Sequence, residues 1–297
     1  MTAQREWAGT TYGSRRLLES LIRLLRHVDT RVCYAFSSLF VIPVVMFLSR
    51  SRHYVYLYFR RHLGMSRLQA AWNDYRGYCL YGKMLIDKFA MYAGRRFDIK
   101  IEGGDNFNRL ASGKDGFEIL SSHIGCYEMA GYSLCSDHKP FNALVFSGEK
   151  ATVMENRLRM FSSNHIKMIP VKSDMSHLFH INSAFGNGEI VSLPADRLFG
   201  STKHFSLSFL GAQARFPAGP FILAAMHGVE VIAVNVMKTG VREYTVYVTP
   251  LNRDQGASQK EQARQLAANY VKELEKMVRR YPRQWFNYYD FWQDGHK

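Results

Sequence analysis

The chain has 297 residues, a net charge of +14 and 14% aromatic residues. This length fits one large α/β domain with an added segment, and the positive charge favours an anionic partner: a phospholipid surface, a phosphorylated carrier or a nucleic acid. The high aromatic content favours a membrane interface over nucleic acid. The cysteines form no C-x-x-C pair, so we expect a reduced, cytoplasm-facing protein with no disulfide framework and no zinc site.

Residues 1–96 predict a basic helical region that anchors the protein to a membrane. Leucines recur at helical spacing in residues 17–25 with arginines between them, which is typical of an amphipathic helix on a bilayer. Residues 32–49 carry no charge, and residues 1–62 hold ten arginines against three acidic residues. Eighteen uncharged residues are only just enough to cross about 30 Å of hydrocarbon. The segment is therefore expected either to span the membrane or to dip into it, with a kink at Pro43.

Residues 53–96 predict two helices, separated at Gly64, with Ser66 as the N-cap of the second. From residue 97 the pattern changes to short apolar runs typical of strands, at residues 97–101, 116–120, 142–146, 166–170, 188–193 and 229–237. Helical segments separate most of these runs, at residues 126–135, 152–163, 175–185 and 218–227. Residues 243–249 predict an edge strand, and residues 260–280 a long charged helix. Residues 97–297 therefore predict an α/β domain with a mixed, largely parallel central sheet flanked by helices.

An H-x4-E element follows the second predicted strand, with His123 in the loop and Glu128 in the first turn of the next helix. On one continuous helix, residues five apart point in different directions, so the two side chains converge only across such a turn. There a helix N-terminus favours an ionised Glu and a neutral His. These are the states that a general base and its orienting carboxylate require, although an ordinary loop histidine fits the same spacing.

Two further turns have the character of a site. Asp196 and Arg197 follow the strand of residues 188–193, where Arg could bind a phosphate or an oxyanion and where a surface ion pair is the alternative. Gly219 lies in a loop that opens a helix and so offers backbone N–H groups to an anion, as any helix start does. Arg157, on the predicted helix 152–163, is a fourth candidate for the same cleft. No metal site is predicted.

These elements occur in the order that is typical of a known family: the H-x4-E turn, the Asp196 turn, residues 216–220 and the Pro282 segment near the end. Together they resemble the lipid A biosynthesis (late) acyltransferases of the lysophospholipid acyltransferase superfamily, over nearly the whole chain. Residues 7–16 and 285–292 look still more like the acyltransferases of bacterial aryl-polyene and flexirubin pigment clusters.

The resemblance implies transfer of a fatty acyl group from an acyl carrier protein or coenzyme A thioester to a hydroxyl of a lipid acceptor, without a cofactor. It also implies a glycerolipid acyltransferase-like fold at the bacterial inner membrane, with the catalytic domain on the cytoplasmic face. By the same resemblance His123 is the general base and Glu128 its partner. Asp196 and Arg197 match the family only in part, because its lipid A enzymes commonly have Asp-Gln at this turn.

Two other functions fit parts of the sequence. Cys126 could act as the nucleophile of a thioester hydrolase or acyl-enzyme transferase with His123 as base, although apolar neighbours would raise the thiol pKa. A non-catalytic basic protein that binds membranes or nucleic acid would account for the charge, and its binding would weaken steeply with salt.

Overall fold

The computed structural model describes residues 15–134, 136, 139–146, 166–171, 174–198 and 203–292, without the side chains of residues 15–18, 128, 131, 132 and 146. Within these residues, four N-terminal helices lead into a seven-stranded sheet that carries helices and a separate hairpin. The predicted helix 152–163, and Arg157 with it, lies outside the described residues.

The N-terminal helices are α1 (Arg15–His27), α2 (Thr30–Leu48), α3 (Arg52–Leu57, continued by a π turn at Tyr58–His62) and α4 (Arg67–Tyr92). A π turn at Ser37–Val41 interrupts α2 just before Pro43, whose ring cannot fit a regular helical ladder. The kink at Pro43 stays a prediction. The predicted break at Gly64 is confirmed. Ser66 caps α4, as expected, and the structure adds that Gln69 completes a capping box with it.

Helix α2 packs antiparallel against α4. Tyr34 donates to Asp87 near one end of the pair, and Ser49 Oγ lies 3.1 Å from the Tyr78 hydroxyl near the other. The outer face of α2 is apolar and open, with only 17% of the segment buried. Its exposed side chains include Phe36, Leu39, Phe40, Val44, Phe47 and Leu48.

The sheet has the order β1-β9-β8-β2-β5-β3-β4. Its strands are β1 (Asp98–Glu102), β2 (Phe117–Ser121), β3 (Phe141–Phe146), β4 (Ile166–Val171), β5 (Ile190–Pro194), β8 (Glu230–Lys238) and β9 (Glu243–Pro250). All neighbours pair in parallel except β8 and β9. The predicted fold class, a mixed and largely parallel α/β sheet, is confirmed.

Helices and a hairpin complete the described part of this domain. They are α5 (Gly104–Ser112), a 3₁₀ turn (Tyr127–Met129) with α6 (Ala130–Ser133), α7 (His177–Gly186), the hairpin β6 (His204–Phe209) and β7 (Ala212–Pro217), α8 (Gly219–His227), α9 (Gln259–Arg280) and a 3₁₀ turn (Pro282–Gln284). One apolar core joins side chains of α2–α4 to those of the sheet, α8, α9 and the C-terminal segment.

One expectation was wrong, a second was right only in part, and one element was not predicted. β9 is not an edge strand, because it lies between β1 and β8 with five consecutive residues buried, and the more exposed β1 takes the edge. The helix expected over residues 126–135 is only two short turns, which end at Ser133, whose hydroxyl bonds back to the carbonyls of Met129 and Ala130. The hairpin β6–β7 was not predicted.

Candidate functional site

The candidate site forms where β2 and β5 end side by side. These strands are parallel and in a register that pairs Ser121 with Pro194. His123 and Asp196 each lie two residues beyond this pair, so the register brings them together at the carboxyl edge of the sheet. Sites form at this edge in α/β folds.

His123 and Asp196 share two hydrogen bonds. Nδ1 of His123 lies 2.8 Å from Oδ1 of Asp196, and the His123 backbone N–H donates to Oδ2 over 2.8 Å. The Asp196 side chain is 1% exposed, whereas that of His123 is 27% exposed. The carboxylate is therefore buried behind a ring that solvent can still reach.

The charge state of Asp196 determines which ring nitrogen carries the proton. Burial raises the pKa of this carboxyl, but the His123 ring, its hydrogen bonds and the Arg197 guanidinium outweigh burial, so the pKa lies below its ordinary value. An ionised carboxylate can only accept hydrogen bonds. Nδ1 of His123 must therefore carry a proton, which leaves Nε2 of the neutral ring as a proton acceptor.

Other contacts fix the strand end before His123. The Tyr270 hydroxyl, on α9, donates to the Ser121 carbonyl over 2.9 Å. Burial raises the pKa of Tyr270 well above its ordinary value, so this donor stays protonated. Ser122 donates to Asn235 Oδ1 on β8 over 3.0 Å. The main chain that carries His123 is therefore attached both to the sheet and to α9.

The loop after His123 depends on Gly125. Its φ is +63°, and a Cβ at this position would lie 1.8 Å from the Val236 carbonyl oxygen on β8. The next residue, Cys126, donates its backbone N–H to that same oxygen over 2.8 Å. Only glycine allows the loop to lie this close to β8. The ring of Tyr127, 41% exposed, then meets the His123 ring edge to face at 5.8 Å.

The remaining predicted site residues in the described part of the chain are Glu128, Arg197 and Gly219. Glu128 lies in the 3₁₀ turn after the loop, as expected, but its side chain is outside the described part of the structure. Arg197 donates through Nη2 to the Phe286 carbonyl over 2.8 Å and lies 5.5 Å from the Tyr289 ring. Gly219 begins α8, whose Phe221 packs on Tyr270, one layer away from the His123 loop.

The contact of Asp196 with a substrate stays a prediction, and the structure shows a contact with His123 that was not predicted. Its carboxylate is buried and bonded to His123, so it faces the ring and not the solvent. The alternative of a surface ion pair with Arg197 is wrong for the same reason. The sequence offered one signal for this contact, because both residues follow the ends of predicted parallel strands, but only the strand order makes β2 and β5 neighbours. Among the described residues, no three His, Cys, Asp or Glu side chains cluster as metal ligands.

Comparison with known proteins identifies the family. The family model described as bacterial lipid A biosynthesis acyltransferase matches residues 86–293, well over half of the chain. Four chains of solved structures also match. One is a 1-acyl-sn-glycerophosphate (LPA) acyltransferase from Thermotoga maritima, which is 15% identical with a TM-score of 0.41 over 92% of this chain and 100% of that one. No protein with curated function matches the sequence. The chain therefore belongs to the family of bacterial lipid A biosynthesis acyltransferases, and it is an acyltransferase that acts on lipids.

Proposed function

We propose that the protein transfers a fatty acyl group from a thioester to a hydroxyl of a lipid acceptor, with His123 as the general base. The pair of 2.8 Å contacts between His123 and the buried Asp196 supports this proposal most directly. A carboxylate that bonds to Nδ1 holds the ring in one tautomer and stabilises the imidazolium form. The imidazole is thereby prepared to accept a proton at Nε2.

In the proposed reaction, Nε2 removes the proton of the acceptor hydroxyl while its oxygen attacks the thioester carbonyl carbon. A C–O bond forms, the C–S bond breaks, and the proton passes from His123 to the departing thiolate. Positioned general bases contribute about 10²–10⁴-fold to such reactions. These steps need neither a cofactor nor a nucleophile of the enzyme, because the acceptor hydroxyl is itself the nucleophile.

Two carboxylates are candidates for the partner of His123. Glu128 is expected by sequence, whereas Asp196 bonds to Nδ1 in the structure. The single Nδ1–H of His123 makes one strong hydrogen bond, and Asp196 accepts it. We therefore propose that Asp196 orients the ring, and that Glu128, in the following turn, is a second carboxylate of the site that does not orient the ring. Comparison of Asp196→Asn with Glu128→Gln separates the roles, since the orienting residue should cost more activity.

The donor and acceptor are proposed from chemistry. We propose acyl carrier protein or acyl-coenzyme A as the donor, because both are anionic and the chain has a net charge of +14. A lipid A-like or polyene lipid with a hydroxyl is the proposed acceptor, in a membrane whose anionic headgroups attract the arginines of residues 1–62. No nucleic acid is involved in this scheme.

The test of the proposed base is lipid mass spectrometry of cells that produce His123→Ala. We expect the acylated lipid to fall by a factor on the order of 10² or more. His180→Ala, an exposed histidine on α7, serves as the matched control and should give the wild-type lipid profile. Wild-type amounts of product with His123→Ala would refute the mechanism.

We also propose that the protein lies at the cytoplasmic face of the bacterial inner membrane, with α2 dipping into one leaflet. α2 is long and apolar enough to cross a membrane, but it packs along α4, which carries the buried Asp74 and Asp87. If α2 spanned the bilayer, α4 would be drawn in with it, together with the partners of these aspartates, Arg52 and, on β8 of the sheet, Lys238. If α2 instead lies parallel to the membrane plane, its exposed apolar face is buried in hydrocarbon and α4 remains on the side that faces water.

Labelling at the two ends of α2 tests this orientation. Arg31→Cys and Arg50→Cys are introduced separately into a protein whose native cysteines are serines, in sealed inverted vesicles. A membrane-impermeant maleimide should label both positions if α2 dips into one leaflet. Labelling of only one end would show that α2 spans the membrane.

A further inference from the structure

The side chain of Gln284 lies buried between two elements of the site. Gln284 is 4% exposed and ends the 3₁₀ turn after α9. Its Oε1 accepts from the Lys238 backbone N–H over 2.9 Å, and its Nε2 donates to the Lys238 carbonyl over 2.8 Å. The amide therefore bonds to both main-chain groups of Lys238 at the end of β8, as a neighbouring strand would.

The main chain from Gln284 onward runs along the His123 loop. The Gln284 carbonyl accepts from the Gly125 N–H over 2.7 Å, and the Phe286 N–H donates to the His123 carbonyl over 3.2 Å. Between them, Ile124 and Trp285 form an antiparallel bridge. Residues 284–286 thus act as a short strand paired with residues 123–125.

The same short strand contacts the turn that supplies the carboxylate. The Phe286 carbonyl accepts from Arg197 Nη2 over 2.8 Å, and Arg197 directly follows Asp196. The main chain of Phe286 therefore bonds to both parts of the site. Its N–H donates to His123, and its carbonyl accepts from Arg197, the residue after Asp196.

The His123 loop is thereby held from two sides. β8 holds it through the Val236 carbonyl, which accepts from Cys126 and lies against Gly125. Residues 284–286 hold it from the other side, and the Gln284 side chain fixes this short strand to the end of β8. A loop confined in this way cannot shift without breaking buried hydrogen bonds.

We propose that Gln284 is a positioning residue for the reaction, acting through the loop and not through the substrate. Its amide fixes residues 284–286 against β8, and these residues bond to the main chain of the His123 loop and to the side chain of Arg197, which directly follows Asp196. A displacement on the order of 1 Å in such a pair can reduce a rate by about 10²-fold. The proposal rests on the proposed role of His123.

The test compares Gln284→Ala with Gln262→Ala in the full-length protein in detergent micelles. Gln262 is a matched control: it is 9% exposed, and its amide donates to Gln255 and Ala257 and accepts from Arg253, all remote from His123 in sequence and outside its loop. Each variant therefore loses a buried glutamine amide with its side-chain hydrogen bonds, so the general loss of stability is comparable.

Three measurements are made on both variants. Hydrogen exchange reports the protection of the amides in residues 123–126, and proton NMR reports the far-downfield resonance of the His123–Asp196 hydrogen bond, assigned by its loss in His123→Ala. Lipid mass spectrometry of producing cells reports the acylated product. The first two need no substrate.

With Gln284→Ala we expect roughly tenfold or faster exchange in residues 123–126, a broadened or lost downfield resonance, and about 10–100-fold less product. With Gln262→Ala all three should stay near wild type. Wild-type exchange and resonance in Gln284→Ala would overturn the proposal, and so would equal changes in the two variants. If His123→Ala kept full activity, the proposed role of His123 as general base would be wrong. The exchange data would still report whether Gln284 holds the His123 loop.

Discussion

Asp196→Asn tests whether the contact between the ring and the carboxylate serves the reaction. Asparagine has the shape of aspartate but no charge, and one of its two terminal atoms is an N–H₂ donor. If its oxygen keeps the bond to the His123 backbone N–H, its amide nitrogen faces Nδ1. That arrangement requires Nδ1 to accept, so the proton moves to Nε2 and the ring can no longer remove a proton from the acceptor.

The magnitude follows from this geometry. The variant keeps one of the two 2.8 Å contacts but reverses the direction of the other. A reversed tautomer removes the general base and the stabilisation of the imidazolium together, so we expect a loss of about 10²–10⁴-fold in kcat. This range corresponds to about 2.7–5.4 kcal/mol in the activation free energy. The KM for the acyl donor should change little, because the buried Asp196 faces away from solvent.

The assay measures the acylated lipid formed per unit of folded protein by mass spectrometry. Glu273→Gln is the control, since Glu273 is also a buried carboxylate with two partners, but it lies on α9, where it pairs with Lys276 and accepts from Thr249. It should keep near wild-type activity while losing some stability. An Asp196→Asn protein that folds and retains activity within about threefold of wild type would refute the argument.

Three further substitutions give defined outcomes. Glu118 is fully buried, neither of its carboxylate oxygens has a hydrogen-bond partner among the described residues, and burial raises its pKa well above the ordinary value. The protonated Glu118 therefore contributes its full stability at acidic pH, and this contribution is lost as the pH rises towards the folded-state pKa. Glu118→Leu should remove this pH dependence of stability. It should also raise the free energy of unfolding at neutral pH by about 1–3 kcal/mol, as measured by denaturant titration. Tyr34→Phe removes the hydrogen bond from α2 to Asp87 and should lower the free energy of unfolding by about 1–2 kcal/mol, which is read as a lower melting temperature in detergent. The control Tyr54→Phe should lower the melting temperature less. Cys126→Ser should leave acyl transfer nearly intact, and an acyl group trapped on Cys126 would instead support the thioester hydrolase or acyl-enzyme mechanism.

Local patterns predicted most of the elements. Ser66 and Gln69 occupy positions three apart, where a capping box needs them, and the apolar runs of five or six residues became strands within two residues of their expected bounds. His123 was expected in the loop at a strand end, and it is there. Such features depend on contacts between near neighbours in sequence, so one sequence contains the information for them.

Long-range contacts were beyond the reach of these patterns. Alternation of apolar and polar residues does not show whether a strand lies at the edge or in the centre of a sheet, because it does not show which strands pair with it. β9 was therefore misplaced. The helix after the H-x4-E loop was expected over residues 126–135, but it is only two short turns that end at Ser133. The membrane anchor is a prediction from charge and hydropathy, whereas the packing of α2 on α4 is visible only in the structure.

The sequence by itself determined the α/β class and the family resemblance, and it predicted the basic membrane anchor and the role of His123, because each depends on composition, spacing or the order of motifs. Only the tertiary structure showed that Asp196 bonds to the His123 ring. Asp196 is separated from His123 by 73 residues and Gln284 by more than twice as many, and both reach the loop because strand order and register place them there. The physical reason is that hydrogen bonds act over about 3 Å in space, and a chain folded into a parallel sheet brings together residues that are far apart in sequence.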